Sequence, residues 1–163
     1  MPEVKITKIY LDMDGVIADF DGRYKELYKI YPSEADTYKV FDGFFAQFIA
    51  EEQFAKLDLL PDAVELIEYL KTLSIPTEIL SSTSSERRDA DIRKQKLEWL
   101  DKHGITFPVN LVPGKRFKKD YSNPNVLLID DTSVNIDQWR KEGGIGILHT
   151  DTVTTINTLK MYI

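Results

Sequence analysis

The chain contains no cysteine, so disulfides, thiolate metal sites and a cysteine nucleophile are excluded. A reducing cytosol is the compartment that suits this composition best. No apolar run approaches the roughly 20 residues of a membrane span, and the opening stretch MPEVKITKIY lacks an apolar core of signal-peptide length. The expectation is a cytoplasmic protein with no membrane partner. An excess of positive charge is missing too: 21 Lys and Arg against 27 Asp and Glu leave a net charge of −6. That balance argues against long nucleic acid as the main partner, because such binding rests on phosphate neutralisation by a basic surface. Small phosphorylated molecules are compatible with it. No internal repeat or low-complexity segment breaks the chain.

What is present suits one globular domain. The 163 residues, 42% hydrophobic and 29% charged, can bury one sizeable core but are too few for two ordinary domains. Residues 4–11 are β-branched and apolar and end at Asp12, which predicts a strand delivering Asp12 at its C-terminal end. Helical spacing follows in Val16, Phe20, Tyr24, Leu27 and Tyr28, and again in Phe41, Phe44, Phe45, Phe48 and Ile49. Pro61 suits the first turn of another helix, whose apolar stripe would be Val64, Ile67, Leu70 and Leu73.

Residues 75–80 form a second strand candidate that runs into a serine-rich loop, residues 81–85. A charged helix over 86–103 comes next, with Ile92, Leu97, Trp99 and Leu100 as its expected buried residues and Gly104 as its stop. Further strand candidates lie at 107–112, 126–129 and 145–148. Strands alternating with helices imply parallel pairing through right-handed crossovers, hence an α/β, doubly wound, Rossmann-like sheet. Residues 1–18 and 61–163 would form that core. Residues 19–60 are longer than one crossover helix needs and rich in aromatics, so they read as a small helical cap inserted after the first strand.

In such sheets ligands sit beyond the carboxyl ends of the strands, and Asp12, Asp14, Ser81, Asp130 and Asp131 all fall at predicted strand ends. The loop Asp12-Met13-Asp14-Gly15 places two carboxylates together, with a glycine that allows a tight turn. Two anions about 4 Å apart repel by about 4 kcal/mol at an effective dielectric near 20, so a cation or a shared proton is required. Mg²⁺, which takes oxygen ligands and keeps waters and substrate phosphates, fits Asp12, Asp14, Asp130 and Asp131. A calcium loop does not fit, because Gly15 stands fourth from Asp12 where that loop needs glycine in sixth place. A lone pair of this kind more often begins a turn and caps a helix, so the assignment leans on what lies downstream.

Four segments carry a resemblance. DMDGVIADF resembles the first motif of the haloacid dehalogenase (HAD) superfamily, Ile79-Leu80-Ser81 the second, the lysines of GKRFKK (residues 114–119) the third and LLIDD the fourth. Nearly the whole chain is similar to the 5′(3′)-deoxyribonucleotidases and related small HAD proteins, through FAKLDLLPDAVE, KLEW and DDTSVNIDQW. The cap matches less well. The resemblance implies a magnesium-dependent phosphatase in which Asp12 is the nucleophile and Asp14 the general acid and base. Ser81 and Ser82 would bind phosphate with Lys96 and one lysine of the basic run, Lys118 first and Lys115 second. Asp131 would hold the metal directly, with Asp130 on a metal-bound water or on the lysine, or the two in reverse order, and Asp14 would add its main-chain oxygen. The substrate would be a small phosphorylated molecule, a nucleotide first.

Phe20, Tyr24, Phe44 and Phe45 are the candidate cap residues, since an aromatic face can stack a base at about 1–3 kcal/mol. At helical spacing such residues also simply pack a cap. Phosphatases of other small metabolites, such as sugar phosphates, and a non-catalytic phosphoacceptor or binding module stay open as alternatives. The phosphoacceptor has no use for an acid at Asp14.

Overall fold

Alternation along the central strands sorts side chains into two separate cores. The computed structural model describes residues 4–163. In β1 (Lys8–Leu11), Ile9 and Leu11 join one apolar cluster while Tyr10 joins another. In β4 (Val126–Asp130), Leu127 and Ile129 fall to the first cluster and Val126 and Leu128 to the second. Both faces of the sheet are therefore covered, as a continuous apolar run in a parallel sheet requires. With β2 (Thr77–Ser82), β3 (Val109–Val112) and β5 (Ile145–Leu148) the sheet has five parallel strands in the order β3-β2-β1-β4-β5. The chain winds outward from β1 in one direction and then in the other, so a topological switch point lies beside β1.

Helices α1 (Phe20–Tyr28), α2 (Tyr38–Ala50) and α3 (Ala63–Lys71) lie between β1 and β2. Helix α4 (Glu86–Lys102) connects β2 to β3, α5 (Ser133–Lys141) connects β4 to β5, and α6 (Thr152–Leu159) ends the fold. A 3-10 turn, Lys115–Tyr121, carries the chain from β3 to β4. Residues of α1 to α4 and of α6 feed the first cluster, whereas Ile136 and Trp139 of α5 close the second. Among the described residues no helix is long and apolar enough to cross a membrane.

Several expected boundaries move, each for a local reason. Strand β1 begins at Lys8 rather than Val4, because its partner β4 begins opposite it at Val126. Pro76 and Pro108 have no N–H to give to a ladder, and β2 and β3 start just after them. Ser81 and Ser82 extend β2 opposite Leu111 and Val112, so they belong to the strand and not to the loop. Helix α3 begins two residues past Pro61 and buries Leu66, Ile67 and Leu70 while Val64 faces solvent. On α4 the expected burial of Leu97 is wrong: it is 44% exposed, and its neighbour Lys96 is 2% exposed.

Candidate active site

Register brings the acidic strand ends to one level. Leu11 of β1 stands opposite Ile79 of β2 and Ile129 of β4, so the next residue, Asp12, emerges beside Asp130. Oxygens of Asp12, Asp130 and Asp131 lie within 4.8 Å of one another. The turn after Asp12 depends on Gly15, whose φ is +81°; a Cβ there would stand 1.9 Å from Asp131 Oδ2. Glycine thus serves both the backbone angle and the close approach of the fourth-strand acid.

Two buried lysines hold this group from different sides. Lys118, 3% exposed on the 3-10 turn, donates to Asp12 Oδ1 and to Asp130 Oδ2, both at 2.9 Å. Burial alone would lower its pKa, but the carboxylates of Asp12 and Asp130 outweigh that effect and raise it. Lys96 of α4 donates to Asp14 Oδ2 at 2.9 Å, to Ser81 Oγ at 2.7 Å and to Ser82 O at 2.8 Å. Three acceptors around one ammonium explain why a lysine, and not Leu97, turns inward on α4.

Asp130 is fully buried and supports its neighbours. Its Oδ1 accepts from Thr132 N, and its Oδ2 accepts from Asn135 Nδ2 as well as from Lys118. The other two acids hold their protons unusually well. Burial first, and then the charge of Asp130, pushes Asp12 up to about 8, against the pull of Lys118. The same two causes push Asp131 up to about 6. The acids outnumber the positive charge at hand, and Asp14 Oδ1 is buried without a hydrogen-bond partner. Such a set of oxygen donors fits a hard divalent cation.

The group opens into a cavity of about 490 Å³. Its polar lining includes Asp12, Asp14, Asp131, Ser81, Ser82 and Lys118, and its aromatic lining is Phe20, Phe41, Phe45 and Phe54. The model of the family described as "5′ nucleotidase, deoxy (Pyrimidine), cytosolic type C protein" matches residues 5–158. The chain belongs to this family. It is a HAD-type phosphatase. No curated protein matches it in sequence. Among solved structures it is similar to a hydrolase from Pseudomonas syringae (TM-score 0.60, 15% identity, 96% of this chain and 99% of that one). It is also similar to a hydrolase from Streptococcus pneumoniae TIGR4 (TM-score 0.57, 16% identity, 96% and 99%). A third likeness is to L-2-haloacid dehalogenase from Xanthobacter autotrophicus with chloropropionic acid covalently bound (TM-score 0.55, 13% identity, 86% and 76%). At these identities the three likenesses show the fold.

In this HAD-type phosphatase two of the four aromatic residues expected at the pocket lie elsewhere. Tyr24 is fully buried between Tyr28 and Phe48, and Phe44 stacks on Tyr28 at 4.6 Å, so both pack the helices together. Phe41 and Phe54 take their places. Phe41 had a signal in the sequence, since it lies four residues before Phe45 on one helical face; Phe54, on a 3-10 turn (Gln53–Lys56), had none. Lys96 is not on the cavity wall and reaches the site through Asp14 and Ser81. Lys115 is on the wall, one turn before Lys118. Asn135, absent from the sequence reading, lines the cavity in the first turn of α5 and leaves its buried Oδ1 without a partner.

Proposed function

We propose that the chain hydrolyses nucleoside monophosphates, deoxynucleotides foremost, with Mg²⁺ and through a phosphoryl group carried on Asp12. The observation that carries this reading is the mixed lining of the cavity. Carboxylates and Lys118 line it together with four phenylalanines, which matches a ligand with a phosphate and a flat base. The family's description, a deoxy (pyrimidine) 5′ nucleotidase, points the same way. A volume of about 490 Å³ lies in the range of small-molecule sites.

In this mechanism an oxygen of Asp12 attacks phosphorus, the bond to the leaving oxygen breaks, and Asp14 gives that oxygen its proton. Asp14 then takes a proton from the water that displaces phosphate from Asp12. Lys96 holds Asp14 from behind, and Ser81 has its own proton free to give to a phosphoryl oxygen while its Oγ accepts from Lys96. Lys118 offsets charge beside Asp12. Asp12, Asp131 and the main-chain oxygen of Asp14 would hold the magnesium ion, which when bound supplies further positive charge for the phosphoryl oxygens. Residues 19–60 would act as the cap that excludes water.

The test is a panel of deoxynucleoside, ribonucleoside and sugar monophosphates with Mg²⁺. Turnover is expected with nucleotides, the deoxy forms preferred. Turnover confined to sugar phosphates would replace the substrate assignment, and none on any ester would favour the phosphoacceptor reading.

Metal binding should depend on pH with a defined sign. Asp12 near 8 and Asp131 near 6 keep protons in the folded chain that the unfolded chain has released. The contribution of these two groups to the metal-free fold is therefore fully present below the ordinary carboxylate range and is lost as pH rises through about 6 to 8. A cation reverses that loss. Saturating Mg²⁺ at about 100 times its Kd contributes about 2.7 kcal/mol, which for a chain of this size is a rise of roughly 5–10 °C in Tm. Thermal melts should show this shift at pH 8 and a much smaller one at pH 5.5. Equal shifts at both pH values would remove the acids from metal binding.

A further inference from the structure

Helix α2, which supplies Phe41 and Phe45 to the cavity, is fastened unevenly. Its C-terminal end rests on buried hydrogen bonds: the Gln95 amide donates to Ile49 O at 2.9 Å and accepts from Phe54 N at 3.1 Å. Its first half turns Tyr38, Lys39 and Val40 to solvent. That half is tied to α4 through Asp42, whose Oδ1 accepts from Arg88 at 2.7 Å and from Arg87 at 3.3 Å. The two arginines differ in burial, with side chains 12% and 68% exposed. Arg88 also places its guanidinium 4.9 Å from the centre of the Phe45 ring. Phe45 in turn stacks on Phe41 at 5.3 Å and 18°.

We infer that Arg88 is a positioning residue that clamps the first half of α2 to α4 and so holds the Phe41–Phe45 wall against the substrate's base. The physical case is the joint placement of one planar cation. It neutralises Asp42 in a partly desolvated setting, where an ion pair is screened less than at an open surface, and it lies over the Phe45 ring, whose aromatic neighbours Phe20, Phe41 and Phe54 line the pocket. Arg87, on the same acceptor but open to water, is the weaker partner. The effect on substrate rests on the nucleotide reading above, whereas the clamp itself does not.

The experiment compares Arg88→Ala, Arg88→Lys and Asp42→Asn with the native chain, using a deoxynucleoside monophosphate and a sugar phosphate that has no base. For Arg88→Ala the KM for the nucleotide should rise about fivefold, about 1 kcal/mol at 1.4 kcal/mol per tenfold. Its kcat should stay within about twofold, the pattern of lost uniform binding. The KM for the sugar phosphate should not move, Arg88→Lys should recover part of the loss, and Asp42→Asn added to Arg88→Ala should add little. Amide exchange should quicken over residues 41–45 and stay unchanged at Phe48 and Ile49. Should Arg88→Ala fail to fold, Asp42→Asn provides the same comparison. A nucleotide KM within twofold of native, an equal rise for both substrates, or unchanged exchange in α2 would each overturn the inference. If the native chain turns over no nucleotide, the substrate reading falls, and the exchange pattern alone decides the clamp.

Discussion

Asp12→Asn should lower kcat by about 10⁴-fold or more, the scale seen when a nucleophile is removed, while the metal-free protein stays as stable as the native chain or becomes more stable. The two halves of this expectation have one cause. Asp12 is buried beside Asp130 and Asp131, and its pKa near 8 records how strongly the fold resists its charge. An amide of the same shape removes that resistance, and its oxygen can still accept from Lys118, which keeps Asp130 as its charged partner. A residue that burdens the fold and is retained for chemistry trades stability for activity. Kinetics at saturating Mg²⁺ and thermal melts with a chelator at pH 8 check the two halves separately. Activity within tenfold of native would take the nucleophile role from Asp12. A large loss of metal-free stability would show that its charge supports the fold.

The parts of this site that the sequence displays are those written by backbone rules. Residues 126–129 read as a covered strand because a continuous apolar run ends abruptly in acid, and the strand is there, one residue longer, with Asp130 as its last residue. The stop at Gly104 was likewise legible, because a left-handed residue just past a helix favours glycine; its φ is +66°. Side-chain direction on charged helices was not legible. Apart from the resemblance that pointed Lys96 at the site, the spacing in KQKLEW does not say that Lys96 faces in and Leu97 out, since the three acceptors that reverse the usual preference come from Asp14, Ser81 and Ser82, far away in sequence. The same holds for Tyr24 and Phe44. Period 3.6 places them with Phe20 and Phe45 but cannot say which rings meet a cavity and which meet one another. Choosing among Lys115, Lys118 and Lys119 needed the 3-10 turn, which buries Lys118 and leaves Lys119 outside.

Replacing Lys118 is the change expected to damage fold and chemistry together. Lys118→Met keeps most of the side-chain length but leaves Asp12 and Asp130, 8% and 0% exposed in their side chains, facing each other without a cation. Removing one partner from a buried pair costs about 3–5 kcal/mol, and here one lysine serves two acids. The variant should also recover stability on acidification, and the sign is fixed by linkage. Without the ammonium, the folded-state pKa of Asp12, already raised by burial and by the charge of Asp130, rises further above its unfolded value, so the folded chain binds more protons than the unfolded chain across a wider pH range. Its stability is therefore greatest at low pH and declines as pH rises. Thermal melts should show the gap between native and variant widest near pH 8 and narrower at pH 5.5, where a shared proton stands in for the lysine. Added Mg²⁺ should narrow it at pH 8 without restoring turnover, because a metal can neutralise the acids but cannot place an N–H beside Asp12 Oδ1. A gap independent of pH would mean that Lys118 contributes packing rather than charge, and the electrostatic account of the site would have to be rebuilt around Lys96.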